Sequence, residues 1–396
     1  MAPIPRLRDY SGPALLSYGF RPFFLFGSLY AGLAILVWLP VFYGELGVPT
    51  VFVPRDWHIH EMLYGYLAAV ITGFLLTTIP NWTGRLPIQG IPLLLLVVVW
   101  LAGRIAVTTS AWTGWTFAAI VDVSFLLIIA LAAAREIITG KNWRNLKILV
   151  VLGLLLFGNI VFHLEIRYYG SADYSIRLAI GAIMMLIMLI GGRVIPSFTR
   201  NWLVRANPGR LPVPFGTFDT TSLVIAGVAL LAWIALPQGR ITGAFLLIAA
   251  LLQTRRLARW AGDRTWRDRL VLVLHVAYAF VPLGFGLVGL ASFGFIPASA
   301  GIHAWTGGAM GLMTLAIMSR ASLGHTGRAL AASGVTQVLY LMVIVGALAR
   351  ICAALEPGWS APLLHIAGIS WALAFVGFAV IYWSVLTRPR VVAEKG

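Results

Sequence analysis

Seven histidines, His58, His60, His163, His275, His303, His325 and His365, are the side chains best suited to chemistry in this sequence. A neutral imidazole is the commonest nitrogen ligand for haem iron, copper and zinc. Little else here could hold a metal. The single cysteine, Cys352, excludes an all-thiolate site and an intramolecular disulfide. No pair of carboxylates is spaced for magnesium or calcium, and the His-Glu-x-x-His pattern of zinc hydrolases is missing. His58 and His60 lie two positions apart, which turns them about 200° from one another on a helix. They can share one small ion only if the helix begins after His58; otherwise they serve different centres.

Acids are scarce within the apolar runs. Glu61 follows His60 directly and Glu165 comes two after His163. Each is placed to support a ligand or relay a proton, and these two are the candidate catalytic carboxylates. Asp122 is the deepest acid, and its plainest role is to pair with a buried arginine such as Arg104. Trp57, Trp82, Trp202, Trp359 and Trp383 stand at the ends of apolar runs, where interfacial anchors are expected.

The elements that must position these residues follow from composition. Of 396 residues, 60% are apolar and 11% charged, against about 25% charged in an ordinary soluble domain. Mean hydropathy is +0.90. A soluble fold of this size cannot hide so much apolar surface. Water-soluble enzymes, secreted disulfide scaffolds and disordered chains are excluded. There is no phosphate loop and no nucleophile elbow. The fold class is all-α: a polytopic membrane protein of about twelve transmembrane helices, forming one domain over residues 1–396.

A helix needs about 20 apolar residues to cross the bilayer. Such runs lie near 22–42, 57–79, 91–109, 113–135, 146–166, 174–196, 219–236, 240–256, 268–291, 299–320, 333–355 and 361–386, the seventh and eighth being the weakest. Pro282, in the ninth, could break its helix as in transporter binding sites. Residues 1–20 lack the pattern of a removed signal peptide. The net charge of +16 reads as topology rather than nucleic-acid binding. With the N-terminus inside, 23 lysines and arginines fall on inner segments and 5 on outer ones. Both termini are therefore expected in the cytoplasm. His58, His60, His163, His303 and His365 then gather at the periplasmic ends of four spans. A backbone carbonyl accounts for one buried histidine, but five at one depth point to a metal or haem site.

The second and tenth spans share a register. His60 to Arg85 and His303 to Arg328 are each 25 positions, both stretches end in Thr-Gly-Arg, and Gly65 and Gly308 each lie five after the histidine. The sixth span ends similarly in Pro196-Ser197-Phe198-Thr199-Arg200, with Ser175 in the histidine's place. Three four-helix pseudo-repeats, roughly 15–140, 141–260 and 261–390, around a pseudo-threefold axis would explain this spacing. His60 and His303, at repeat-equivalent positions, could then clamp a flat macrocycle from both faces.

Trp57-His58-Ile59-His60-Glu61-Met62, Pro80-Asn81-Trp82-Thr83-Gly84, Gly192-Arg193-Val194-Ile195-Pro196-Ser197-Phe198-Thr199 and Met318-Ser319-Arg320-Ala321-Ser322-Leu323-Gly324-His325-Thr326-Gly327-Arg328 resemble motifs of the NnrS family. So does the opening Ser17-Tyr18-Gly19-Phe20-Arg21-Pro22-Phe23, and the resemblance spans essentially the whole chain. It implies a bacterial inner-membrane protein containing haem and copper, tied to the nitric oxide response and relief of nitrosative stress. A looser resemblance is to the catalytic subunit of haem–copper oxidases and nitric oxide reductases. That subunit has twelve spans and takes haem histidines from the second and tenth. Its adjacent histidine pair in the seventh span is absent here, so its ligand scheme does not transfer.

The expectation is haem b between His60 and His303, with His58, His163 and His365 as ligands of copper or a second centre. Nitric oxide or a related small molecule, and quinol or another electron donor, are the expected partners within the lipid bilayer. The rival readings are a quinol-linked electron-transfer enzyme, a haem-free transporter of metal or nitrosyl species, and a membrane sensor that binds without turnover. The net reaction does not follow from the residues.

Overall fold

The computed structural model describes residues 10–391, which are helical with no strand among them. Twelve long helices follow the apolar runs: α1 Phe20–Phe42, α2 Pro54–Thr83, α3 Ile91–Thr108, α4 Trp115–Thr139, α5 Leu146–Tyr169, α6 Tyr174–Ala206, α7 Thr217–Ala235, α8 Arg240–Ala258, α9 Arg269–Ser292, α10 298–325, α11 Gly334–Leu355 and α12 Ser360–Thr387. Eleven of these are long and apolar enough to cross a membrane. The two weakest runs, now α7 and α8, are among them. The exception is α10, whose upper half carries His303, Thr306, Gly307, Gly308 and Gly311 in place of aliphatic residues. The helix there is continuous but less apolar. Pro282 does not break α9, which runs unbroken from Arg269 to Ser292.

Large apolar side chains point outward along the helices. Leu95, Leu131, Leu231 and Val380 are each more than half exposed. In a chain of this composition, that outward face is the one presented to lipid. Trp359 and Trp383 are exposed at helix ends, as anchors require, but Trp57 is buried and turns its indole N–H to Thr108 Oγ1 at 3.4 Å. It packs inside the protein instead of at the interface.

The described residues fall into two compact units. The first contains α1 to α5, the start of α6 through Ala179, residues 321–329 and the chain from Phe375 on. Within it, α2 packs on α1 and α4, and α4 on α3 and α5. Helix α2 is its most enclosed element, with 83% of its apolar stretch buried, against 33% for α4. The second unit contains the rest of α6, α7 to α9, α10 through Arg320, α11 and α12 through Ala374. There α8 packs on α7 and α9, and α10 on α9 and α11.

Helices α2 and α10 share a local departure from α geometry. Each opens as an α-helix, Pro54–His60 and Ala298–His303, and then widens into a π-helical turn, Glu61–Leu67 and Ala304–Gly311. Both turns begin on the residue after the histidine of the repeat. Such wide turns concentrate at functional sites, because they re-aim side chains and loosen the backbone ladder.

Candidate metal centre

The first five helices each send at least one polar side chain to a closed point inside the first unit. Helix α2 brings His60 and Glu61, both with no solvent exposure. From α5 come Asn159 and His163, four positions apart and so on one helix face. Asp122 of α4 stands between them. Its Oδ2 lies 3.1 Å from His60 Nε2 and 3.0 Å from His163 Nε2, and it accepts the Asn159 side-chain N–H at 2.8 Å. His60 Nε2 also lies 3.1 Å from Asn159 Oδ1, and His60 Nδ1 lies 3.0 Å from Glu61 Oε1.

Arg104 of α3 ties the two acids together. Its Nη1 donates to both Glu61 oxygens at 2.9 Å, and its Nη2 donates to Asp122 Oδ1. Tyr30 of α1 donates its hydroxyl to Glu61 Oε2. Two glycines admit this crowding. A Cβ on Gly65 would stand 2.9 Å from the Tyr30 ring and 3.1 Å from Arg104 Nη1. A Cβ on Gly103 would stand 3.2 Å from Asp122 Cα. Within the π turn, the Gly65 carbonyl accepts the Trp100 indole N–H at 2.9 Å. Aromatic rings close the walls: Phe52, Tyr64 and Phe162 have centroids 5.1 to 5.3 Å from that of His60.

One donor atom each from His60, Asp122 and His163 lies within 4.8 Å of the other two, the spacing of ligands around one metal ion. Two imidazoles and a carboxylate form a nitrogen–oxygen donor set that suits copper, iron or zinc. Two further observations fit a cation. His163 Nδ1 is buried with no hydrogen-bond partner. Both nitrogens of His60 face carboxylate oxygens, which is satisfied by two ring protons or by a cation replacing one of them. With neutral histidines, Glu61 and Asp122 outweigh Arg104 by one negative charge. An isolated charge is costly in a membrane interior, so the cluster calls for one more positive charge.

The same crowding does not fit His60 as an axial haem ligand. Both its ring nitrogens are engaged within the cluster, and its ring is enclosed by neighbours on every contact recorded above. A single ion needs only the point where the donor atoms converge, whereas a macrocycle needs an open slot.

The other expected site residues are placed differently. His58 stacks on Trp38 with centroids 4.2 Å apart, away from His60, as their two-residue spacing requires. Glu165 accepts the backbone N–H groups of Tyr174 and Ser175 at 2.9 Å each, and the Ser175 hydroxyl. It caps the first turn of α6 and makes no contact with the cluster among these bonds. His303 and His365 belong to the second unit. Each sets its Nδ1 against the carbonyl four residues earlier, Ser299 at 2.7 Å and Ala361 at 2.9 Å. A carbonyl there requires the proton on Nδ1, so Nε2 carries the lone pair, the tautomer that ligating histidines commonly show. His275 bonds Thr199 Oγ1 at 2.8 Å, and His325 lies against the rings of Tyr18 and Phe20.

Sequence reasoning paired Asp122 with Arg104 correctly but did not bring Asp122 together with His60 and His163, and it passed over Asn159 and Tyr30. The four-residue spacing of Asn159 and His163 was the available signal.

Fold and site together define an all-helical membrane protein with a buried histidine–carboxylate cluster. Residues 14–390 match the NnrS protein family, and the chain belongs to that family. No curated protein matches the chain closely enough to be a relative.

Proposed function

We propose that this protein handles nitric oxide or its metal-nitrosyl products inside the membrane, and that His60, Asp122 and His163 hold a metal ion, with copper the best candidate. The observation that carries this reading is the convergence of three donor atoms on one buried point. A monovalent copper ion would supply the one missing positive charge. Bound there, such an ion supplies one-electron chemistry toward a small apolar ligand.

The surrounding residues have separable tasks. Arg104 fixes Glu61 and Asp122 and balances part of their charge. Phe52, Tyr64 and Phe162 keep water out, which strengthens every electrostatic interaction inside. Nitric oxide, being small and apolar, can reach the cluster from lipid. Tyr30 is only partly buried, and its hydroxyl rests on Glu61. The chain Tyr30–Glu61–His60 supports a proton route, with Glu61 holding the proton beside the ring. For haem b, His303 is the proposed axial ligand, with His365 the second candidate, since both present the ligating tautomer. The bias of lysines and arginines supports an inner-membrane setting with both termini cytoplasmic.

The test is copper and haem analysis of detergent-purified protein, followed by nitric oxide titration. We expect copper to be lost in His163→Ala with haem retained, and haem to be lost in His303→Ala with copper retained. Folded protein carrying neither group would sink the reading in favour of a transport path.

A further inference from the structure

The Thr-Gly-Arg tripeptides that end α2 and α10 have opposite electrostatic fates. Both use their glycine as a left-handed cap, Gly84 at φ +69° and Gly327 at φ +74°. After the first, Arg85 pairs with Glu136. After the second, Arg328 pairs with no carboxylate among the described residues, and its Nη1 is buried without a hydrogen-bond partner.

More cations gather around Arg328 within the first unit. The chain beyond α12 folds across the tripeptide, and Val391 N donates to Thr326 O at 2.9 Å. This brings Arg390 against Gly327, with Nε 3.4 Å from where a Cβ would stand. Arg21, 4% exposed, reaches the same segment and donates from Nη1 to the carbonyls of Leu386 at 2.8 Å and Arg388 at 2.7 Å. Arg21 feels the like charge of Arg328, and His325 that of Arg390. None of Arg21, Arg328, Arg388 and Arg390 forms an ion pair with a carboxylate among the described residues. Mutually repelling guanidiniums, one with a buried free N–H, are a costly arrangement unless an anion completes it.

We propose that Arg21, Arg328 and Arg390 form a binding site for an anionic phosphate group at this end of the helices. Guanidinium presents paired donors that match phosphate oxygens. Basic pockets between helices at a membrane surface take anionic head groups on the same grounds. The phosphate comes either from an anionic phospholipid or from free phosphate. This site shares no residue with the metal cluster, so its failure leaves that reading intact.

The experiment uses the full chain in detergent, titrated with short-chain phosphatidylglycerol, phosphatidylcholine or inorganic phosphate, with the unfolding midpoint and bound lipid by native mass spectrometry as readouts. Phosphatidylglycerol should raise the midpoint and stay bound, and phosphatidylcholine should not. Arg328→Gln should weaken the response about tenfold, the worth of one charge-assisted bond, and Arg328→Lys should recover part of it. Arg390→Gln gives a second reading should Arg328→Gln fold poorly. An arginine-dependent response to inorganic phosphate alone would confirm the site and identify free phosphate as its source. Equal stabilisation by phosphatidylcholine, or an undiminished response in both glutamine variants, would overturn the proposal. So would no response in the natural sequence; a response gained by Asp9→Asn with Glu394→Gln would then show the chain's own carboxylate in the place.

Discussion

His60 and Asp122, 62 positions apart in the sequence, meet at 3.1 Å with neither exposed beyond 1%. Around that contact every first-unit helix from α1 to α5 contributes a polar group. His60, Glu61, Arg104, Asp122, Asn159 and His163 thus form one continuous buried hydrogen-bonded network. A hydrogen-bonded cluster and a metal site use the same atoms here, because donor atoms about 3 Å apart are also spaced to share an ion.

Removing a ligand separates these two descriptions. Asp122→Asn keeps the shape and loses the charge, and His163→Ala loses a ring nitrogen. Both should reduce metal affinity by more than the roughly 10–100-fold that loss of a supporting partner costs. His58→Ala, on the other side of the helix, should leave metal content within error. Metal analysis after dialysis against graded chelator concentrations measures all three. Retained affinity in both cluster variants would move the metal elsewhere.

The spans were legible because lipid imposes one requirement, an unbroken apolar run of sufficient length. Only α10 escapes the pattern, and it does so where glycines and His303 replace aliphatic residues. Residue type also singled out His60, Glu61 and His163. Their partnership with Asp122 was not legible. Which face of α4 meets α2 and α5 depends on how helices are rotated against each other, and a span that is apolar on all sides gives no moment to read. The π turns left no trace in periodicity either, although the shared histidine register marked where both would fall. The contacts of Glu165 were not legible either, because its partners Tyr174 and Ser175 lie across the short turn between α5 and α6, whose path the sequence does not fix.

Glu165 should therefore matter to stability and not to the metal. Its carboxylate accepts the first two backbone donors of α6. Glu165→Ala should cost about 0.5–2 kcal/mol, the usual worth of a helix cap. A lowered thermal midpoint with unchanged metal content is the expected pair of results. Loss of metal from well-folded Glu165→Ala protein would return this residue to the site.

Close approach at two glycines makes a second stability contrast. Gly65→Ala presses a methyl group against Tyr30 and Arg104, and Gly103→Ala presses one against Asp122. Each should destabilise by about 1–3 kcal/mol through overpacking. Gly153, inside α5, has nothing within 4 Å of its would-be Cβ. Gly153→Ala should be neutral or stabilise by up to about 1 kcal/mol, because alanine is the better helix former. Denaturation midpoints of the three variants, measured in one detergent, decide whether the cluster sets the cost.

Arg104 provides the sharpest energetic test. It is 3% exposed and is the cation that joins Glu61 to Asp122. Arg104→Gln leaves two buried carboxylates without it, and removing one partner of a buried pair costs about 3–5 kcal/mol. Much of that loss is uncompensated charge, not lost attraction. Adding Glu61→Gln removes one negative charge and should recover a large part of the stability, although it deletes a second native side chain. A double variant more stable than Arg104→Gln alone, read from the thermal midpoint, is the expected outcome. Simple additivity of the two losses would mean that charge balance does not govern the cluster, and the argument for a bound cation would lose its electrostatic support.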